Sequence, residues 1–393
     1  MTTQPDKGIT VVDWGGFRKE LAGELHKRGL LARYLTTNPR WKAAQSGIPA
    51  ELIRSRSFYR YLEAGLARSP ALEKKFASAL KLMKDRNFVR FVPDNIVPGT
   101  TVCFLSGSGE GVLRARENGR LEQPVKCILQ RGSAHITWLE DLLDREYAVL
   151  GIRRKRLAAY YLEKEEYEYS FADRIVVPSA VAAKTYVSRG VDPEKISVIS
   201  LGAPPLPPRQ DVADKSRALQ GKLIYVGQLS VRKGFHILAE VLRTSKAVKE
   251  LIVIGNVVDP EVVAALKDDP RVVWKGALPR EQVMKELAHA DALVLPSVED
   301  GFGRVVTEAF VAGIPAIVSD CCGASEVVLK TGGGIVYDAT SREELRDAIE
   351  RLLTDEAFNR SCREAIASGT GSSGGWEEYT TGFLNVVEQT RSR

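Results

Sequence analysis

Short β-branched and apolar runs alternate along this chain with stretches in which apolar residues recur every three to four positions. The first run covers residues 9–13. Gly15 and Gly16 follow as a turn, and Phe17, Leu21 and Leu25 then recur at i, i+4 and i+8 until Gly29. Strand, glycine turn and helix are predicted in that order. Similar runs at 101–105, 126–130, 174–177 and 196–201 continue the pattern. Apolar strands separated by helices predict a parallel sheet with helices on its faces.

Pro204, Pro205, Pro207 and Pro208 break this rhythm. Proline removes amide donors and stiffens an extended chain, so the domain boundary is expected there. A second series of runs follows at 223–226, 251–254, 272–274, 292–295, 316–319 and 334–337. The fold class predicted is α/β, with two doubly wound Rossmann-like domains at 1–203 and 204–375 facing each other across a cleft. Ligands are expected at the carboxyl ends of the strands. Residues 368–375, SGTGSSGG, read as a flexible loop before a helix at 376–389, and segment 376–393 is expected to pack back toward the first domain.

Composition narrows the class. With 44% hydrophobic and 27% charged residues, disordered, collagen-like and coiled-coil readings drop out. Fifty-six basic and 50 acidic side chains leave a net charge of +6, too little to imply a nucleic-acid partner. Residues 51–90 hold ten Lys/Arg against four Asp/Glu, and ten minus four accounts for that whole excess. No apolar run approaches the roughly 20 residues of a membrane span, and MTTQPDKGIT has no signal-peptide core, so a cytoplasmic location is expected. Cys103, Cys127, Cys321, Cys322 and Cys362 form an odd set with no C-x-x-C, which indicates neither a disulfide framework nor a zinc site.

The stretch PSVEDGFGRVVTEAF at 296–310 carries the most chemistry. Gly301 and Gly303 permit a tight turn after a strand, and the helix expected near Arg304 aims free amides and its positive end above the strand tips. That is a place for an anion. Asp300 and Glu308, with seven residues between them, are suited to hydroxyls of a sugar or ribose. The same acids also read as a first turn that merely complements the helix dipole. Upstream, Arg232 and Lys233 close a loop that begins near Gly227, and such a pair either neutralises a diphosphate or stands solvated.

Together, VGQLSVRKG at 226–234, the two spaced acids, and IPAIVSD followed by CCGASEVV at 314–328 resemble the nucleotide-sugar domain of family 4 retaining glycosyltransferases of GT-B fold. The likeness extends to Gly15-Gly16, RGSAHI at 131–136, ADRIVVPS at 172–179 and ISVISLGAP at 196–204, and omits a basic insertion at about 41–98. The resemblance implies that Lys233 contacts the donor's diphosphate while Gly15 and Gly16 approach it from the other domain. Gly227, Gly301, Phe302, Gly303 and Arg304 would surround the donor, Glu308 would hold the ribose, Asp300 the sugar hydroxyls, and His135 would stand in the cleft near the transferred sugar. Two departures stand out: Gln228 replaces the family's diphosphate arginine, and Asp300 replaces the usual Glu. Either Arg232 supplies the missing charge or the leaving group is held less tightly.

What the resemblance implies is retaining transfer from a UDP- or GDP-linked sugar to a glycan or lipid-linked acceptor, in cell-envelope or exopolysaccharide synthesis. No cofactor is expected, the nucleotide sugar being a substrate. No D-x-D triplet occurs, so cations and amides of the protein are expected to replace a bridging metal. Phe58, Tyr59, Tyr61, Leu62, Phe76 and Leu80 lie among the cations of 51–90, which reads either as an anionic-membrane contact on the inner face of the cell membrane or as solvated amphipathic helices. Rival readings are a sugar-nucleotide epimerase or hydrolase on the same frame, and a catalytically silent nucleotide-binding protein. The loop SGSGEG at 106–111 adds an NAD-dependent oxidoreductase.

Overall fold

The computed structural model describes residues 8–15, 18–201, 218–368 and 375–392. Gly16, the proline-rich boundary and residues 369–374 of the glycine-serine loop lie outside the described residues. The first domain contains strands β1 (Ile9–Asp13), β2 (Leu31–Thr36), β3 (Ile53–Ser55), β4 (Thr101–Leu105), β5 (Cys127–Gln130), β6 (Arg174–Val177) and β7 (Ile196–Val198). They form one parallel sheet in the order β3-β2-β1-β4-β5-β6-β7. The second contains β8 (Lys222–Val226), β9 (Glu250–Ile254), β10 (Val272–Gly276), β11 (Ala292–Leu295), β12 (Ala316–Ser319) and β13 (Gly334–Tyr337). Its parallel order is β10-β9-β8-β11-β12-β13.

The central strands are buried along their length because helices cover both faces, which is why they read as unbroken apolar runs. Two strands carry no such signal. β2 is broken by half-buried Ala32 and Arg33, and β3 is a three-residue edge strand. β3 corrects the expected insertion: residues 53–55 continue the sheet, and the added element narrows to helices Phe58–Leu66 and Pro70–Phe91. The longer helix is anchored by Phe88, fully buried with its ring centroid 4.9 Å from that of Trp14.

Strand order reverses between β1 and β4 and again between β8 and β11. At such reversals the following loops diverge to opposite faces and leave a crevice above the strand tips. The last helix, Trp376–Arg391, crosses back to the first domain. Trp376, Tyr379, Phe383 and Val387 share one apolar cluster with Ile9, Leu21 and Leu25, and Arg28 donates to Thr381 Oγ1 at 3.0 Å and to the Glu377 carbonyl at 2.8 Å.

Candidate functional site

The β8–β11 reversal brings two distant loops together. β8 feeds the loop that ends at Gly234, and β11 feeds 296–303, so Lys233 and Asp300 meet as an ion pair at 2.5 Å although 67 residues separate them. Asp300 is fixed on every side. Its amide donates to the Cys321 carbonyl at 3.3 Å, its carbonyl accepts from Gly323 at 2.9 Å, and Oδ1 accepts from the Phe302 amide at 3.3 Å. Gly234 can take this turn because its φ is +67° and a Cβ there would fall 1.7 Å from the Pro296 carbonyl oxygen.

The helix Arg304–Val311 starts where the spacing of acids and glycines placed it, with Gly303 left-handed at φ +82° as its cap. Arg304 lies within electrostatic reach of Glu20, on helix Arg18–Lys27 that follows the Gly15 turn of the other domain. Arg304 Nε and Glu20 Oε2 are both buried with no hydrogen-bond partner among the described residues. Gln130 at the tip of β5 and Ser297 just past β11 carry further buried polar atoms of this kind. Unpaired buried polar atoms cost free energy unless a ligand or water meets them. Here they gather at the carboxyl ends of strands and the starts of the following helices.

Several predicted residues take other places. Arg232 does not stand free for a diphosphate: its Nε and Nη2 both lie 2.6 Å from Glu299 Oε2, and Glu299 Oε1 accepts the Ala134 amide of the first domain at 2.9 Å. Glu299 is thus a buried strut between domains. Phe302 is buried in the apolar cluster with Ile9 and Phe383, so it plugs the interface and does not line the cleft. A Cβ on Gly301 would fall 2.2 Å from the Gly132 carbonyl oxygen, which makes close domain contact the reason for that glycine. Glu308 is paired with Arg280 at 3.1 Å. Gly227 donates its amide to Ile254 at the tip of β9 at 2.9 Å, and Gly15, left-handed at φ +93°, closes against Asn38.

His135 is buried, and its Nε2 is another polar atom with no hydrogen-bond partner among the described residues. Its side chain is 1% exposed, packed against Tyr169 and Tyr186, with Nδ1 3.2 Å from Thr137 Oγ1 and Nε2 3.6 Å from Glu166 Oε2. Burial, then Arg131 and Arg189, push its pKa down to about 4, so it is neutral. The motif RGSAHI instead hides Arg131, which pairs with half-buried Glu165 and donates to Ser106 Oγ at 3.2 Å. Its position straight after β5 was the available signal.

The SGSGEG loop is filled by the protein itself. The amides of Gly107, Gly109 and Glu110 donate to the Glu168 carboxylate at 2.6, 2.7 and 3.0 Å, so the cradle that a dinucleotide pyrophosphate needs is occupied by a side chain. The oxidoreductase reading of that loop is thereby corrected. Further ties join the domains: Ser179 Oγ donates to the Gly301 carbonyl at 2.8 Å, the Ala180 amide to Glu326 at 2.9 Å, and Tyr147 to Asp259 at 2.6 Å.

Residues 211–368 match the family model described as Glycosyl transferases group 1. D-inositol 3-phosphate glycosyltransferase of Nocardia farcinica is 28% identical over 235 residues, 54% of this chain and 52% of that protein. Lipopolysaccharide 1,6-galactosyltransferase of Salmonella typhimurium is 28% identical over 198 residues, 48% of this chain and 54% of that protein. The chain spans about half the length of the curated relatives it matches. Among solved structures, sucrose-phosphate synthase from Thermosynechococcus elongatus superposes with a TM-score of 0.70 at 18% identity, covering 98% of this chain and 99% of that one. Anabaena HepE, solved with UDP and glucose, gives 0.65 at 16% identity, covering 98% and 100%. With its two parallel sheets in GT-B arrangement the chain shares the fold of these solved structures, and residues 211–368 of its second domain match the Glycosyl transferases group 1 family.

Proposed function

We propose that this protein transfers a sugar, with retention of anomeric configuration, from a UDP- or GDP-linked donor to a glycan or lipid-linked acceptor of the cell envelope. The observation that carries the reading is the Lys233–Asp300 pair at the β8–β11 crevice, four residues ahead of the helix start where Arg304, with an unpartnered Nε, interacts with Glu20 behind the Gly15 turn. Cleaving a sugar–phosphate bond leaves negative charge on the diphosphate while the sugar gains oxocarbenium character. Lys233 meets that charge as a point cation, and Arg304 with the first amides of its helix adds a second positive field. Asp300, pinned by the 321–323 loop, accepts from sugar hydroxyls.

The acceptor hydroxyl attacks from the face the diphosphate leaves, and its proton departs on the leaving phosphate oxygen, so no side-chain nucleophile is assigned. His135, neutral and buried, acts as a positioning residue that braces the turn on which Gly301 rests. The charge being met by protein cations, transfer is expected to survive exhaustive chelation. The exposed aromatic and basic face of the insertion supports peripheral attachment at the inner face of the membrane: Phe58 is 64% and Tyr61 58% exposed. No helix among the described residues is long and apolar enough to cross a membrane. Sedimentation with anionic vesicles tests the attachment, and failure to bind at low salt removes it.

The function is tested by thermal-shift screening against nucleotide sugars, followed by product analysis with the donor that stabilises. A glycoside that keeps the donor's anomeric configuration is expected, and Lys233→Ala should cut transfer about a hundredfold or more while the protein still folds cooperatively, the unpaired Asp300 costing about 1–3 kcal/mol. Free sugar or an epimer would place the protein among hydrolases or epimerases instead. Tight nucleotide binding without turnover would make it a silent binding protein.

A further inference from the structure

Two consecutive ion pairs join the same two loops of the second domain. Arg232 and Lys233 lie on the loop after β8, Glu299 and Asp300 on the loop after β11, and they pair in order, 232 with 299 and 233 with 300. The backbones reinforce this, since the Val298 and Glu299 amides donate to the Arg232 carbonyl at 3.0 and 3.3 Å. The two rungs differ in what lies beyond them. Lys233–Asp300 faces the crevice, whereas Glu299 is 3% exposed and is held at both carboxylate oxygens: Oε2 lies 2.6 Å from Arg232 Nε and Nη2, and Oε1 accepts the Ala134 amide of the first domain at 2.9 Å.

The first-domain end of the Glu299 rung is itself fixed. Arg131 Nε donates to the Ala134 carbonyl at 3.2 Å, the His135 amide donates to Thr185 Oγ1 at 2.9 Å, and Arg131 pairs with Glu165 in the wall of a cavity of about 520 Å³ lined by the insertion helices. Just past Asp300 the turn meets the first domain again, through the Gly301 carbonyl on Ser179 Oγ at 2.8 Å and through Phe302 in the cluster with Ile9. Asp300 is therefore flanked on both sides by residues docked on the first domain. A diphosphate that draws Lys233 toward itself weakens the Lys233–Asp300 pair, and loops held by that pair alone would then be free to separate. The neighbouring rung has no such competitor, because its carboxylate is buried and its cation already neutralised. Placement matters steeply here, since a shift of about 1 Å at a reacting site costs on the order of a hundredfold in rate.

We propose that Glu299 is a positioning residue: by spanning from Arg232 to the Ala134 amide it sets Lys233 and Asp300 against the donor's diphosphate, and it touches no substrate itself. This role rests on the glycosyltransferase reading above, in which Lys233 meets the diphosphate. Arg232 then serves the same grip indirectly, as the cation through which Glu299 holds the loop that carries Lys233.

Calorimetric titration of the full chain with UDP against UMP, and with GDP against GMP, reads the grip on the second phosphate separately from the grip on the nucleoside. Wild type is expected to prefer one diphosphate over its own monophosphate. Glu299→Ala should shrink that preference about tenfold while the monophosphate still binds within about threefold of wild type. Glu299→Asp keeps the charge but is one methylene too short to reach both partners. It should also shrink the preference, and it covers the case in which Glu299→Ala fails to fold. In a Lys233→Ala background the Glu299 changes should remove nothing more, because Glu299 acts through Lys233. A preference unchanged in Glu299→Asp, a monophosphate affinity that falls in step with that of the diphosphate, or a loss that adds in full to that of Lys233→Ala overturns the role and leaves Glu299 an interdomain strut. Failure of both nucleotide pairs to bind wild type, or binding with no preference for the diphosphate, sinks the transferase reading beneath it instead.

Discussion

Arg232 and Lys233 are adjacent cations with different partners: the first is neutralised by buried Glu299 at the domain interface, the second faces Asp300 in the crevice. Removing Arg232 leaves the Glu299 carboxylate without its cation in a buried setting. Arg232→Ala is therefore expected to cost about 1–3 kcal/mol of stability in urea melts while reducing transfer less than Lys233→Ala does. The reverse order, a stable protein with transfer abolished, would return Arg232 to the diphosphate. Sequence spacing identified this cation pair but could not rank its members, because the deciding contact, to Glu299, comes from a loop 67 residues away. The packing of His135 was hidden for a similar reason. A histidine after a strand reads as a ligand group until the tyrosines that enclose it, Tyr169 and Tyr186, are brought in from later helices.

At the scale of elements, the SGSGEG loop and helix Glu110–Glu117 form a phosphate-type nest whose amides all converge on one residue of helix Ala159–Phe171. Truncating Glu168 to Ala would strand those amides in a buried place. Glu168→Ala is expected to lower stability by about 2–4 kcal/mol in chemical denaturation, with Glu168→Gln milder because its amide oxygen still accepts. Indifference to Glu168→Ala would mean that the nest is solvated and open to a ligand. Elements with strong internal patterning were legible: β1, β4, β6, β11, β12 and β13 run where their apolar residues do. β2 and β3 were not, since an edge position and an interrupted face leave little apolar signal, and their place follows from pairing with β1.

For the whole molecule, buried titratable groups set opposing pH dependences. Burial depresses His135 and His236 to about 4, with Arg131 and Arg189 adding to the first and Arg342 to the second. Their unfolded pKa is about 6.5, so between pH 4 and 6.5 the unfolded chain binds more protons and stability falls as pH is lowered. Glu168 works the other way. Burial raises it to about 8 against the pull of Lys164 and the loop amides, so the fold binds the extra proton and stability falls as pH rises toward 8. The two histidines outweigh Glu168 below pH 6.5, and above it Glu168 leads the decline, in the same direction as Glu20 and Glu166, which burial also raises. The melting temperature is expected to peak near pH 6.5–7, and Glu168→Gln to flatten the decline above the peak. A wild-type melting temperature that climbs steadily through pH 8 would contradict this. The layered twin-sheet architecture, the loops at the strand ends and the glycine-capped helix at Arg304 were readable from the linear chain, because each depends on residues a few positions apart. Which loops meet, which cation faces the crevice, what fills the glycine nest and where the insertion leaves a cavity all depend on contacts between residues far apart in the chain, and those exist only once the parallel strands have taken their order.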